Sequence, residues 1–112
     1  LGQDPKPVKV ESAPKLTLDP VIGARTIGDA LQKTLDKGAG EAELQAMKAW
    51  LNDRKNINSE IANEWKKTNN FFPRISAARG ASYLSWDNGR FSQQEVLLLH
   101  DWSLHDRAVL LG

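Results

Sequence analysis

Ser92-Gln93-Gln94-Glu95-Val96-Leu97-Leu98-Leu99-His100-Asp101-Trp102-Ser103-Leu104-His105-Asp106-Arg107-Ala108-Val109-Leu110-Leu111 is the stretch whose reading decides the fold of this 112-residue chain. Ser92 followed three positions later by Glu95 matches a capping box, in which the hydroxyl bonds forward and the carboxylate reaches back. Phe91 before the cap and Val96 at the fourth position match a hydrophobic staple. Read this way, residues 92–111 form one helix that is apolar on most of its circumference. A helix of that kind is buried centrally, or turns one face to another chain. Leu97, Leu104 and Leu110 are then the candidate partner-binding residues.

Working back from this stretch, Asp87-Asn88-Gly89 is a turn cluster. Upstream of it, residues 74–86 carry Ser76, Ala77, Ala78, Gly80, Ala81 and Ser82, a small-residue run that suits a helix opened by Pro73. Gly80 inside that helix costs about 1 kcal/mol relative to alanine. A helix over about 58–67 starts at Asn58 or Ser59 and carries Ile61 and Trp65. Residues 41–54 form another, with Glu41 and Glu43 at its start, Arg54 and Lys55 at its end, and Leu44, Met47, Trp50 and Leu51 as its buried stripe. The first helix, 27–37, is capped by Thr26 with Asp29 in its first turn. Its stripe is Ile27, Ala30, Leu31, Thr34 and Leu35, and Gly38 sits where a left-handed terminator is wanted.

Four of the five prolines (Pro5, Pro7, Pro14, Pro20) fall in the first twenty residues, and all four tryptophans (Trp50, Trp65, Trp86, Trp102) fall after residue 49. Proline fixes φ, lacks an N–H and disfavours helix at the preceding residue. The first twenty residues read foremost as a disordered or surface-hugging tail; the alternation of Val8, Val10, Leu16 and Leu18 with charged or polar neighbours also suits an edge strand, or an arm that adds to a partner's sheet. The expected architecture is therefore all-α. An extended Pro/Lys-rich arm (1–22) precedes a domain (23–112) of four to five short helices in an irregular or orthogonal bundle.

Composition narrows the function classes. The hydrophobic fraction is 40%, the charged fraction 26% and the formal net charge +1, ordinary for a soluble globular protein. There is no cysteine, hence no disulfide and no thiolate metal site. No apolar run approaches the roughly 18–20 residues needed to span a bilayer. The chain starts at Leu1 rather than Met, which suits a processed product or a fragment, cytoplasmic or exported.

Few constellations carry chemistry. Placing Gly89 and Glu95 at positions 6 and 12 of a calcium loop leaves Leu84 and Trp86, which have no side-chain oxygen, where ligands are required. His100 and His105 lie about 140° apart on a helix and cannot chelate one ion together. Glu60 and Glu64 share a helix face, but Asn63, Lys66 and Lys67 beside them make it a solvated one. No nucleophile elbow, phosphate loop or dinucleotide fingerprint is present. Neither a cofactor nor a metal site is expected.

Residues 44–94 hold eight basic against four acidic side chains, with the cadence of a helix–turn–helix. Residues 74–83 would be the reading helix, and Lys66, Lys67, Arg74 and Arg79 the phosphate contacts, across a longer turn than usual. The leading expectation is a non-enzymatic interaction or assembly module whose partner is another chain or a second copy. A nucleic-acid-binding helix–turn–helix is the alternative. A small hydrolase, or a helical domain cut from an enzyme, is a third reading with less to support it.

Overall fold

The computed structural model describes residues 15–76 and 80–112. In chain order the elements are β1 (Leu16–Asp19), α1 (Ile27–Lys33), a 3-10 turn (Leu35–Lys37), α2 (Glu41–Asn52), α3 (Glu60–Trp65), β2 (Asn69–Ser76), β3 (Gly80–Asp87), β4 (Arg90–Leu97) and β5 (Asp106–Leu111). The strands form one sheet in the order β1-β5-β2-β3-β4. Only β2 and β5 run parallel; the other neighbours are antiparallel. The all-α bundle is therefore corrected to a compact α/β fold, a mixed five-stranded sheet with three short helices.

The correction falls on the second half of the chain. Asn88 and Gly89 both have positive φ, 51° and 82°. Two consecutive left-handed residues make the tight hairpin turn whose twist matches that of its strands. So the turn cluster joins β3 to β4 rather than opening a helix. Ser92 and Glu95 lie within β4, on opposite faces by strand alternation. Ser92 Oγ accepts a bond from Gln94 Nε2 at 3.0 Å rather than capping a helix. The helix expected over 74–86 is the end of β2 and most of β3; Ala77, Ala78 and Arg79 lie outside the described residues. Ala108, Val109 and Leu110 are buried in succession because β5 is an inner strand covered on both faces. A short continuous apolar run of that kind has no period that separates strand from buried helix.

The helices of the first half stand close to where the sequence puts them. Thr26 Oγ1 accepts from Asp29 N at 3.0 Å and starts α1, and Ile27, Ala30 and Leu31 are buried. α2 buries Leu44, Met47, Trp50 and Leu51. Glu43 Oε1 accepts from Gly40 N at 2.8 Å at its start. Ser59 caps α3 through Ala62 N at 3.1 Å. Gly38 is not left-handed; its φ is −72°. Here the chain enters the sheet between β5 and β2. Ala39 N donates to Val109 O and Ala39 O accepts from Arg74 N, beyond the point where the β2–β5 ladder ends at Phe71–Ala108.

Two cores result. Beneath α2 and α3 lie Leu44, Met47, Leu51, Trp65, Phe72, Leu84, Phe91 and Val109. On the opposite face α1 packs Ile27 and Leu31 on Phe71 and Ala81, and Ala30 packs near Ala108 and Leu110. Residues 1–14 of the expected arm lie outside the described residues. Residues 16–19 are strand β1, and Leu16 and Leu18 pack on the α2 core.

Candidate interaction surface

The three leucines proposed to meet a partner do not share a face. Leu97 is 56% exposed at the end of β4 and Leu104 is 88% exposed in the turn before β5, whereas Leu110 is only 9% exposed. Leu110 packs with Val21 and Ala30 and is closed to a partner in the folded chain.

The basic residues are spread out. Lys66 Nζ lies 4.3 Å from the Trp86 ring centroid. Lys67 pairs with Glu64 at 3.1 Å. Arg74 donates to Asp36 O at 2.9 Å. Arg79 lies outside the described residues. The expected reading helix is strand over the described part of 74–83, and none of those described residues is helical. Glu60 and Glu64 are exposed on α3, and His100 and His105 are exposed around the turn before β5. Among the described residues no group of three or more His, Asp or Glu side chains could hold a metal ion. Nor is any helix among them long and apolar enough to cross a membrane.

Among the described residues, two concavities open on the α1 side. The larger, about 610 Å³, lies between the turn after β1 and the turn before β5, with Ile22, Trp102, Leu104 and Arg107 in its lining. Ile22 is 91% exposed at its rim. Trp102 is held by its indole N–H to Pro20 O at 2.7 Å, and its ring packs 5.5 Å from that of Phe71. The smaller, about 210 Å³, is lined by Leu31, Leu35, Pro73, Ile75 and Leu98 among others.

A well-defined surface feature is the outer edge of β4, one of the two edge strands of the sheet. Asp87 pairs with Arg90 across the two-residue turn, so these two exchange backbone bonds, and the alternation of an antiparallel ladder follows from there. Ser92, Gln94 and Val96 turn their backbone groups inward to β3. Phe91, Gln93, Glu95 and Leu97 turn theirs outward. Phe91 is already taken: its N–H donates to Asn52 Oδ1 at 2.8 Å, and its carbonyl accepts from Asn52 Nδ2 at 2.9 Å. The Leu97 carbonyl accepts from His100 N at 3.2 Å. Between these two stops, residues 93–97 keep a row of outward backbone groups with no strand beside them among the described residues. Sequence reasoning passed over this edge, although Asn88-Gly89 between segments of strand length is the strongest short-range hairpin signal.

A scan against family models, a search of curated proteins and a search of solved structures each find no match to this chain.

Proposed function

We propose that this domain is a non-enzymatic protein-interaction module that takes up an extended segment of another chain as a sixth strand beside β4. The observation that carries this reading is the edge at residues 93–97, held straight by the β3 ladder and closed at each end by a side chain or turn of the protein itself. Backbone groups of an added segment would complete the outward row, and its alternate side chains would supply specificity. Natural sheets blunt such edges with a bulge, a proline, a cover or a charge, and of these β4 carries the charge, Glu95. Here the β3–β4 register is regular from Asp87–Arg90 to Gly80–Leu97.

The test is a selection of random extended peptides displayed against the domain, followed by amide chemical-shift mapping of the selected peptides. Binders are expected to perturb Gln93, Glu95 and Leu97 first. Glu95→Pro removes an outward N–H that the fold does not use, so it is expected to keep the circular dichroism spectrum and lose the peptides. Peptides that map to the Ile22–Leu104 groove, or that still bind Glu95→Pro, would overturn the edge reading.

A further inference from the structure

We infer that the segment taken up by β4 is the N-terminal arm of a second copy of this chain, residues 7–11, so that the domain assembles head to tail. The inference rests on the edge-binding reading above and names its partner. Glu95 stands exposed in the middle of the open edge. Two β4 strands pairing about a two-fold axis, in the register that uses the whole of residues 93–97, would set Glu95 against its own copy. Like charges directly opposite are unfavourable. The centre of the edge instead asks for a cation on the added strand.

The arm offers one, in the sequence Pro7-Val8-Lys9-Val10-Glu11. Laid antiparallel to β4 with Lys9 opposite Glu95, it brings Val8 opposite Val96 and Val10 opposite Gln94. Both valines then lie on the face that carries α1, where Val96 already packs against the core. Glu11 falls opposite Gln93, whose amide can donate to it. Pro7 falls opposite Leu97. A partner at that position would normally give its N–H to the Leu97 carbonyl, but that carbonyl is occupied by His100 N, and proline has no N–H to give. At the other end Ala13 would meet Phe91, where the Asn52 amide already fills the edge. Pro14 follows immediately. The arm's strand-forming window and the open edge thus end together.

This pairing must occur between copies. The arm leads into β1, at the opposite edge of the sheet from β4. An added strand beside β4 lies five strand spacings from β1, about 24 Å. The four Cα steps from Glu11 to Lys15 reach about 15 Å at most. Each copy therefore gives one arm and receives another, a heterologous contact that continues past the dimer unless it closes into a ring.

Sedimentation velocity on the full chain over a range of concentrations tests this. Wild type is expected to associate beyond dimer as concentration rises. Lys9→Glu and Glu95→Lys are each expected to weaken association about tenfold, from loss of the opposite-charge pair and gain of a like-charge one. Mixing the two variants restores opposite charges at every contact, so the mixture is expected to associate as wild type does. A wild type that stays monomeric, association indifferent to either reversal, or a mixture that fails to recover would each overturn the assignment of the arm. Library peptides that still map to β4 under those outcomes would leave the interaction reading standing, so the two failures are distinguishable.

Discussion

Asn52, the last residue of α2, grips Phe91 by both backbone groups: its Nδ2 donates to the Phe91 carbonyl at 2.9 Å and its Oδ1 accepts from the Phe91 N–H at 2.8 Å. A side-chain amide has the donor and acceptor of a peptide group, so it stands in for one residue of a neighbouring strand. It also ties the helix to the sheet edge over the Phe91 ring, which meets Trp86 at 5.0 Å. Asn52→Ala removes both bonds at a half-buried site. We expect a loss of about 1–3 kcal/mol, two bonds at roughly 0.5–1.5 each, read as a lower urea midpoint at unchanged slope. A midpoint equal to wild type would mean water replaces the amide without cost.

Asn70 is fully buried, and its amide joins α3 to two strands. Nδ2 donates to the carbonyls of Trp65, Thr68 and Leu84 at 3.0, 3.1 and 3.3 Å, and Oδ1 accepts from Thr68 Oγ1 at 2.6 Å. Asn70→Ala removes the buried side-chain donor to the Trp65 and Leu84 carbonyls. A loss of about 2–4 kcal/mol is expected, measured by chemical denaturation. Asn70→Leu, which fills the space but restores no donor, is expected to recover little of it.

Two glycines should fail for different reasons. A Cβ on Gly38 would stand 2.5 Å from Pro73 Cβ, where the chain enters between β5 and β2. Gly38→Ala is expected to cost about 1–3 kcal/mol through overpacking. Gly89 has open space around it but a φ of +82°. Gly89→Ala is expected to cost about 1–2 kcal/mol through the left-handed backbone alone. Gly89→Asn should recover part of that, since asparagine visits this region, whereas Gly38→Asn should be no better than Gly38→Ala. Thermal midpoints of the four variants check the contrast.

Ser92 distinguishes the strand from the helix directly. As a helix cap, its replacement by alanine would cost about 1 kcal/mol and couple with Glu95→Ala. In β4 the two side chains lie on opposite faces. Ser92→Ala is therefore expected to stay within about 0.5 kcal/mol of wild type, with no coupling to Glu95→Ala in a double-mutant cycle. A coupling near the full cap value would return these residues to a helix.

The helices were legible because their signals are local. Thr26, Ser59 and the Leu44-Met47-Trp50-Leu51 stripe act within a turn or two of chain, and those signals are present in the fold. The sheet was not, because its signals depend on distant partners. Ser92-Gln93-Gln94-Glu95 satisfies a capping-box pattern and serves as strand because β3 lies beside it. Residues 108–110 are apolar without a period because β5 is covered on both faces, Val109 in the α2 core and Ala108 and Leu110 on the α1 side. Pro73 suggested a helix start, but it falls in the stretch of β2 where the register with β3 shifts, one of the places a strand accommodates proline. The candidate edge was hidden with the sheet, although the arm's alternation of valine with charge was visible from the start.

β5 is the last of the five described strands and stands between β1 and β2. Leu16 pairs with Leu111, and Asn69 with Asp106. On a ribosome, the helices and the β2-β3-β4 meander can form as they emerge, but β1 must wait for residues synthesised nearly a whole domain later. Until β5 arrives, β2 presents an open side, Phe71 lacks its strand partner Ala108, and the core around Phe72 lacks Val109. Such long-range closure slows folding, and it places the period of greatest aggregation risk at the end of this domain's synthesis.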